Sequence, residues 1–215
     1  SEDLTSRLSP HLHFGEISPL RALTVAEEYA RRRKSIPDKD RQTFRRELIW
    51  RDFNHHLLYH FQKLGTDNFN PRFNKLKWRN VAGDLKKWQT GQTGYPIVDA
   101  GMRQLWQMGW MHNRVRMIVG SFLTKDLLID WREGEAWFWD TLVDGDEANN
   151  TSQWQWIAGT GADAQPFFRI FNPIKQSRDF DPEGDYIRSF VPELSDLPNE
   201  AIHAPWEANG DTLKK

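Results

Sequence analysis

The sequence predicts an all-α fold, on three observations. Apolar side chains recur every three or four residues along most of the chain, residues typical of helix caps bound several of these runs, and no stretch alternates apolar and polar residues as a half-buried strand would. The 215 residues suffice for one compact domain with a sizeable core. No run of about 20 apolar residues is present, so no membrane-spanning helix is expected.

Two helices are predicted in the first part of the chain. Ser18 is a typical N-cap, Pro19 takes the first helical position, and arginines at 31–33 close the helix. A longer helix is predicted from about Pro37 to Lys63, with a core stripe at four-residue spacing that comprises Ile49, Phe53, Leu57 and Phe61. Another face of this helix mixes charged, aromatic and amide side chains: Glu47, Trp50, Arg51 and Asn54.

Shorter helices are predicted in the rest of the chain. Residues 69–96 are predicted to form a loop, a short helix and a second loop. Residues 97–108 are predicted to form a helix that ends at Gly109. A buried helix follows, with the stripe Val115, Ile118, Val119, Phe122 and Leu123. Two further helices are expected, over 133–143 and after Asp146. Beyond Gly159 the chain is predicted to be loop-rich.

Composition excludes several kinds of chemistry. Cysteine is absent, so disulfides, thiolate metal sites and cysteine nucleophiles are excluded, and a reducing, cytoplasmic setting is expected. The sequence also lacks the GxSxG, GxxxxGK[ST] and strand-led GxGxxG motifs. The 11 Trp and 13 Phe are many for a polar chain; flat side chains fill cores, and they also form platforms for flat ligands and bases.

The net charge of −1 hides an asymmetry along the chain. Residues 1–125 carry 22 Lys and Arg against 12 Asp and Glu, whereas residues 126–215 carry 7 against 18. A basic face on a neutral protein can follow a phosphate backbone. Alternatively, the two halves neutralise one another across the fold, and charge alone favours this second interpretation.

Two polar clusters suggest binding, although each has a plainer explanation. His56 and His60 are four residues apart on the long helix, a spacing that zinc ligands use, but no third ligand is evident. We therefore expect packed or surface histidines and no metal. In the stretch TSRLSP, the hydroxyls and backbone N–H groups around Arg7 would form a small anion cradle, although such Ser/Thr/Pro clusters are more often turns.

Asn113 and Arg116 lie three residues apart on one face of a predicted helix. Arg116 is expected to pair with an acid of the turn Asp144–Gly145–Asp146, and such pairs are more often structural than catalytic.

Tryptophans occur in several separate segments: Trp78, Trp131, Trp154 and Trp156. A row of indoles could carry charge by short hops, but the spacing alone favours core aromatics.

Taken together, five stretches resemble the flavin-binding catalytic half of the DNA photolyase/cryptochrome family. They are TSRLSPHLHFGEISP, FRRELIWRDF, TGYPIVDAGMRQLWQMGWMHNRVRMIVGSFLTKDLLIDW, DGDEANNTSQWQWIAGTGADAQPFFRIFNP and FDPEGDYIRSFVPEL. They span nearly the whole chain in family order, and they are most similar to class I cyclobutane pyrimidine dimer photolyases. The resemblance implies one FAD-binding and catalytic domain over residues 1–215. It also implies light-dependent repair of these dimers in DNA, by an electron from excited, reduced FAD.

The resemblance implies a set of FAD contacts. The matching positions are Thr5, Ser6, Arg7, Leu8 and Ser9 for the phosphates, and Phe44, Asn113, Arg116, Asp144, Gly145, Asp146 and Asn150 for the rest of the cofactor. Asn150 falls where a residue faces the flavin N5 atom. Plant-type cryptochromes place Asp there, so Asn favours repair over signalling.

The same match implies a pocket for a flipped-out dimer and contacts to DNA. These positions are Glu47, Trp50, Arg51, Asn54, Asn113, Arg114, Met117, Trp156, Arg169 and Gln176. Glu47 is expected to hydrogen-bond pyrimidine edges and to stabilise the dimer radical anion. Trp154, Trp131 and Trp78 match the electron relay that photoreduces the flavin, in order from the flavin to the surface.

The chain departs from the family pattern in ways that shape the expectations. It has no N-terminal α/β antenna domain, so we expect a fragment or shortened member, truncated at its N-terminal end, without an antenna chromophore. Phe44 stands where several relatives have Trp. We expect the protein to be a monomer. Its expected partner is DNA that contains pyrimidine dimers. Two alternatives are a cryptochrome-like flavin photoreceptor without repair and a flavin-free helical fragment.

Overall fold

The computed structural model describes residues 5–33, 35–163 and 170–208, and within these ranges the chain is helical without a β-strand. This confirms the all-α prediction. The α-helices there are α1 (Ser9–His13), α2 (Pro19–Arg32), α3 (Asp38–His60), α4 (Ala82–Gln89), α5 (Pro96–Met108), α6 (Asn113–Ser121), α7 (Trp131–Thr141), α8 (Glu147–Ala158), α9 (Pro173–Phe180), α10 (Asp185–Phe190) and α11 (Asn199–Ile202). None of the described helices is long and apolar enough to cross a membrane.

Helix boundaries follow cap residues that are visible in the sequence. The Ser18 hydroxyl accepts a hydrogen bond from the Arg21 N–H (3.1 Å), as predicted for the start of α2. Gly109 ends α5 in the left-handed region, with φ 63°, also as predicted. A Cβ at this position would lie 2.6 Å from Val143 Cγ1, so close packing requires glycine there as well.

The core forms where α5, α6, α7 and α8 meet, with α10 packed on α5. The stripe predicted for α6 is buried: Val115, Ile118, Val119, Phe122 and Leu123. α6 itself ends at Ser121 and continues as a π-helical turn, Phe122–Asp126. Trp88 is fully buried, and its indole N–H donates to the Val119 carbonyl (3.0 Å). Trp88 thus fills part of this core with its polar group satisfied.

The core stripe predicted for α3 is wrong in part. Leu57 is buried, but Ile49, Phe53 and Phe61 are 55%, 40% and 49% exposed. The reason is that α3 packs on α2 and α8 along other residues, including Asn54, and turns Ile49 and Phe53 toward an open cavity described below. Four-residue spacing identified an apolar face but not what covers it.

Beyond Gly159, where the sequence predicts a loop-rich segment, the described residues form three short α-helices separated by loops and turns. α9, α10 and α11 lie there, held by contacts between residues far apart in sequence. The Asp181 carboxylate accepts from the N–H groups of Tyr186 (3.0 Å) and Ile187 (3.1 Å). The buried Ser177 hydroxyl and His203 ring are hydrogen-bonded at 2.7 Å, which joins α9 to the end of α11. Such short helices depend on these tertiary contacts rather than on local periodicity.

Candidate functional site

A first cavity lies between α6, α8 and the turn that joins α7 to α8. Nine of the residues predicted for the site line it: Asn113, Arg116, Met117, Asp144, Gly145, Asp146, Asn150, Trp154 and Trp156. The α6 members are spaced by three or four residues and therefore share one helix face. Gly120 continues that face, and a Cβ there would lie 3.3 Å from Ile157, so glycine allows α6 and α8 to approach closely.

Arg116 and Asp144 form an ion pair on the wall of this cavity. One guanidinium nitrogen of Arg116 donates to both carboxylate oxygens of Asp144, at 3.1 and 2.9 Å, and the Arg116 Nε–H donates to the Met111 carbonyl (2.8 Å). The Asp144 side chain is 3% exposed. The pairing predicted for Arg116 is confirmed, and it fixes a positive group at a defined place in the cavity wall.

Asn150 is held by α7. Its side-chain amide donates to the Glu135 carbonyl and to the Glu135 carboxylate, both at 2.9 Å. Burial raises the pKa of Glu135 above its ordinary value, whereas the hydrogen bonds from Asn150 and Thr151 act in the opposite direction. The orientation of the Asn150 amide is therefore set by a partner outside the cavity.

Asp146 caps α8 and lies close to the side chains of Arg51 and His55. Its carboxylate accepts from the Asn149 N–H (2.9 Å), the N-cap arrangement that stabilises a helix start. Arg51 lies 3.6 Å and His55 lies 3.2 Å from the other carboxylate oxygen. The acids of the stretch Asp144–Asp146 are thus satisfied structurally at one edge of the cavity.

A second, larger cavity adjoins the first between α3 and α8. Its volume is about 450 Å³ against about 120 Å³ for the first. Residues of the predicted site on its wall are Trp50, Asn54 and Trp156. The wall also contains Ile49, Phe53 and Leu57 from the stripe predicted for the core, of which only Leu57 is buried. Trp156 and Gln153 line both cavities, so the two join at these side chains. Together the cavities reach the size typical of small-molecule sites.

Several residues predicted for the cofactor or the dimer line neither cavity. Arg7 has a left-handed φ of 51° and places its guanidinium 4.1 Å from the centre of the Trp110 ring, while Ser9 begins α1. Phe44 and Glu47 lie on α3, where Glu47 is exposed. The structure does not bring the segment Thr5–Ser9 to the wall of either cavity.

The residues predicted for DNA contact have varied surroundings. Arg51 donates to the Leu12 carbonyl (3.2 Å), and the Arg114 guanidinium lies 4.5 Å from the centre of the Phe180 ring. Asn54 is buried and donates to Asn149 (2.8 Å), so it joins α3 to α8. The Gln176 carbonyl is buried without a hydrogen-bond partner among the described residues. Arg169 lies outside the described residues.

The three tryptophans predicted as a relay differ in burial. Trp154 and Trp131 are buried, and Trp78 is half-buried against the core. The rings in contact with Trp154 are Trp88 (centroids 6.1 Å apart) and Phe138 (4.9 Å), and the Trp131 indole N–H donates to Asn68 (2.9 Å). The relay itself stays a prediction.

Residues that shape the site and that sequence reasoning missed include Gly120, Glu135, Phe138 and Gln153. Helical spacing could have found two of them, because Gly120 lies four residues after Arg116 and Gln153 three residues after Asn150. Glu135 and Phe138 come from another helix and have no local signal.

The donor set fits a flat, polar-edged ring such as a flavin. Apolar groups of Met117, Phe138 and Ile157 face a few fixed polar groups, the pattern typical of sites for planar cofactors. Trp154 adds a buried indole N–H without a hydrogen-bond partner among the described residues. The fold and the site together define a helical domain with a cavity suited to an aromatic cofactor.

Comparison with known proteins identifies the family. Residues 44–215 match the family described as the FAD binding domain of DNA photolyase, and the chain belongs to this family. The predicted cofactor, FAD, is the one that the family description names.

Individual relatives agree with this family. The chain is 58% identical over 211 residues to the deoxyribodipyrimidine photo-lyase of Agrobacterium fabrum, a match that covers 98% of this chain and 43% of that protein. A bacterial class III photolyase from Agrobacterium tumefaciens superposes with a TM-score of 0.93 at 57% identity, covering 99% and 44% of the two chains. A cryptochrome from Synechocystis sp. PCC6803 superposes with a TM-score of 0.89 at 39% identity, covering 99% and 43%.

These matches also limit the identification. The chain spans less than half the length of these relatives. The sequence suggested class I, whereas the Agrobacterium tumefaciens structure is of class III. The family is therefore established without its class.

Proposed function

We propose that this chain is the FAD-binding and catalytic part of an enzyme that repairs cyclobutane pyrimidine dimers in DNA under light. The observation that carries the proposal is the convergence of nine predicted residues, from α6, the turn before α8, and α8, on the first cavity. The name deoxyribodipyrimidine photo-lyase among relatives 46–58% identical supports it. Class I remains the class proposed from the sequence motifs, and the repair reaction proposed here does not depend on it.

The proposal treats residues 1–215 as one domain. Residues 1–43 precede the family match, yet α2 packs on α3, and Arg41 on α3 pairs with Glu27 on α2 at 2.7 Å. These contacts support a single unit that includes the first helices.

The chain's own residues would hold FAD as follows. Arg116, fixed by Asp144, sets a positive group beside the ring, and the neutral amide of Asn150, fixed by Glu135, can donate or accept at the ring edge. The hydroxyls and N–H groups of Thr5–Ser9 are proposed for the phosphates. The chemistry that bound, reduced FAD supplies on excitation is one electron for the dimer, which returns when the cyclobutane bonds have split, without net redox change.

The dimer is proposed to enter where the two cavities join. Trp50 and Trp156 offer flat apolar walls there, and a dimer leaves the duplex at lower cost than an intact base step. Glu47, exposed on α3 near Trp50, is proposed to accept hydrogen bonds from pyrimidine edges. Arg51, Arg114, Arg169 and Gln176 are proposed to contact the DNA.

Absorption spectroscopy tests the cofactor part of this proposal. The purified chain is mixed with FAD and desalted, and flavin bands should remain at one FAD per chain. A chain that loses all flavin on desalting would favour the flavin-free alternative. Arg116→Ala should reduce retention, because the positive group beside the ring is lost.

Light-driven repair tests the reaction. The FAD-loaded chain, illuminated under reducing conditions, should restore thymines in an oligonucleotide that carries a thymine dimer, and a dark sample should not. Glu47→Ala should lower repair per absorbed photon, since a hydrogen bond that would stabilise the dimer radical anion is lost. Unchanged repair in this variant would count against the role of Glu47.

The likeness to the Synechocystis cryptochrome favours one alternative, a flavin photoreceptor. A chain that binds FAD and changes its absorption in light, but restores no thymine, would support that alternative.

A further inference from the structure

We propose that Gln153 recognises the imide edge of a pyrimidine in the substrate. This inference rests on the proposed function and adds a residue that determines specificity. It follows from a comparison of the hydrogen-bond partners of the side-chain amides on α8.

Four side-chain amides project from α8, and three of them are bound within the protein. Asn149 bonds Asn54 and Asp146, and Asn150 bonds Glu135. Gln155 is buried, donates to the carbonyls of Leu64 (2.6 Å) and Asp67 (3.0 Å), and accepts from the Phe69 N–H (2.8 Å). These three amides join α8 to its neighbours.

Gln153 differs from the other three in position and in bonding. It is exposed, and no described residue hydrogen-bonds its side chain. It lines both cavities, a position that it shares with Trp156. Since residues three apart on a helix are neighbours, the Gln153 amide and the Trp156 ring stand side by side at the junction of the cavities.

The chemistry of this pair suits a pyrimidine. A carboxamide presents one acceptor and two donors in a plane, and a pyrimidine imide presents the complement, an N3–H donor flanked by carbonyl acceptors. An indole wall beside the amide would hold the base by its flat face. A bidentate contact of this kind distinguishes bases, as amide side chains do with adenine in DNA. Gln153 would therefore select the imide edge of a base held against Trp156.

Dark binding titrations with the FAD-loaded chain test the proposal. The probes are an oligonucleotide with one thymine dimer, the same oligonucleotide with both dimer N3 atoms methylated, and undamaged DNA. Gln153→Ala should weaken binding of the unmodified dimer about tenfold, the lower end of the range for a bidentate base contact. It should bind the methylated dimer as the wild type does, because methylation has already removed the imide donors. Gln153→Glu should also bind the unmodified dimer weakly, because the carboxylate has no donor.

The matched control is Gln107→Ala, an exposed amide on α5 that lines neither cavity. It should bind every probe as the wild type does. Flavin absorbance equal to the wild type's shows that each variant is folded and loaded.

Three results would overturn the proposal, and they can be told apart. If the wild type prefers dimer DNA and Gln153→Ala binds it equally well, the role of Gln153 is wrong and the proposed function stands. If the difference in affinity between the wild type and Gln153→Ala persists with the methylated dimer, Gln153 contributes by steric fit and not by hydrogen bonds to the imide. If the wild type shows no preference for dimer DNA, the proposed function and this inference fail together.

Discussion

The ion pair of Arg116 and Asp144 shows how one side chain can serve both the fold and the site. The Asp144 side chain is nearly fully buried, and the guanidinium of Arg116 forms an ion pair with it at 2.9 Å. Arg116→Ala would leave a buried carboxylate unpaired and should lower the free energy of unfolding by about 3 kcal/mol. Urea denaturation at pH 7 measures this change. The low end of the usual range applies because Arg116 itself is 25% exposed.

A surface pair provides the control. Arg178 and Glu207 are 3.4 Å apart, and both side chains are more than half exposed. Arg178→Ala should cost less than about 1 kcal/mol, since water replaces the lost partner. Similar decreases in the free energy of unfolding of the two variants would show that burial does not determine how much the Arg116–Asp144 pair contributes to stability.

Single residues also show what the sequence could reveal of the site. Arg116 was predicted to pair with an acid of the turn Asp144–Gly145–Asp146, and the structure shows that this acid is Asp144. Gln153 was missed, although it lies three residues after Asn150 and shares its helix face. Its place at the junction of two cavities depends on how α3, α6 and α8 pack, and spacing along one helix does not contain that information.

Helix α7 crosses α8 at Gly134, where close packing requires a glycine. A Cβ at this position would lie 2.2 and 2.5 Å from atoms of the Trp154 ring and 2.6 Å from Leu123. Gly134→Ala should therefore destabilise the protein by about 2 kcal/mol, the usual cost of overpacking a core. It should also reduce FAD retention, because Trp154 lines the first cavity. Urea unfolding and the flavin absorbance after desalting measure these two effects.

Gly83 on α4 is the matched position without neighbours. A Cβ there meets no atom within 4 Å, so Gly83→Ala should be neutral or stabilise by up to about 1 kcal/mol through helix propensity. If Gly83→Ala lowered the free energy of unfolding as much as Gly134→Ala, the packing explanation would be refuted.

Helix α7 also carries a buried acid whose titration should affect stability. Burial raises the pKa of Glu135 in the native state above its ordinary value of 4.5. Between 4.5 and the raised native pKa, the native state holds more protons than the unfolded state, so stability falls as pH rises through this window. Glu135→Gln keeps an acceptor for Asn150 but does not titrate.

The Glu135→Gln variant should therefore be more stable than the wild type at pH 7. The difference in their unfolding free energies should shrink as the pH falls toward 4. Unfolding free energies of both proteins from pH 4 to pH 8 measure this. Glu28→Gln, an exposed change on α2, should shift stability by less than about 0.5 kcal/mol. A wild type and a Glu135→Gln variant with parallel pH profiles would contradict the assignment.

Elements differ in how far the sequence determined them. α2 and the end of α5 follow caps at Ser18 and Gly109, where a local side chain or a left-handed φ settles the boundary. α10 was missed because its first turn is held by Asp181, which lies outside the helix. The apolar face of α3 was recognised, but periodicity could not tell a packed core from the wall of a cavity.

At the scale of the whole molecule, the proposed function offers an explanation for the charge asymmetry along the chain. The basic residues 1–125 contain α3 and α6, which carry Arg51 and Arg114 and whose other residues line the two cavities. Charge alone favoured mutual neutralisation of the two halves. A DNA ligand would instead use the basic half as its main surface for contacts to phosphates.

The salt dependence of DNA binding decides between these interpretations. If the basic half contacts phosphates, the logarithm of the dissociation constant should rise linearly with the logarithm of salt concentration, and Arg114→Ala should reduce the slope by about 1. Lys175→Ala is the control, because this lysine lies in the acidic half and pairs with Asp179 at 2.6 Å; its slope should equal the wild type's. Binding without salt dependence, or equal slopes in all three proteins, would show that the basic half does not follow the DNA backbone through Arg114. Neutralisation between the two halves would then be the better explanation of the charge pattern.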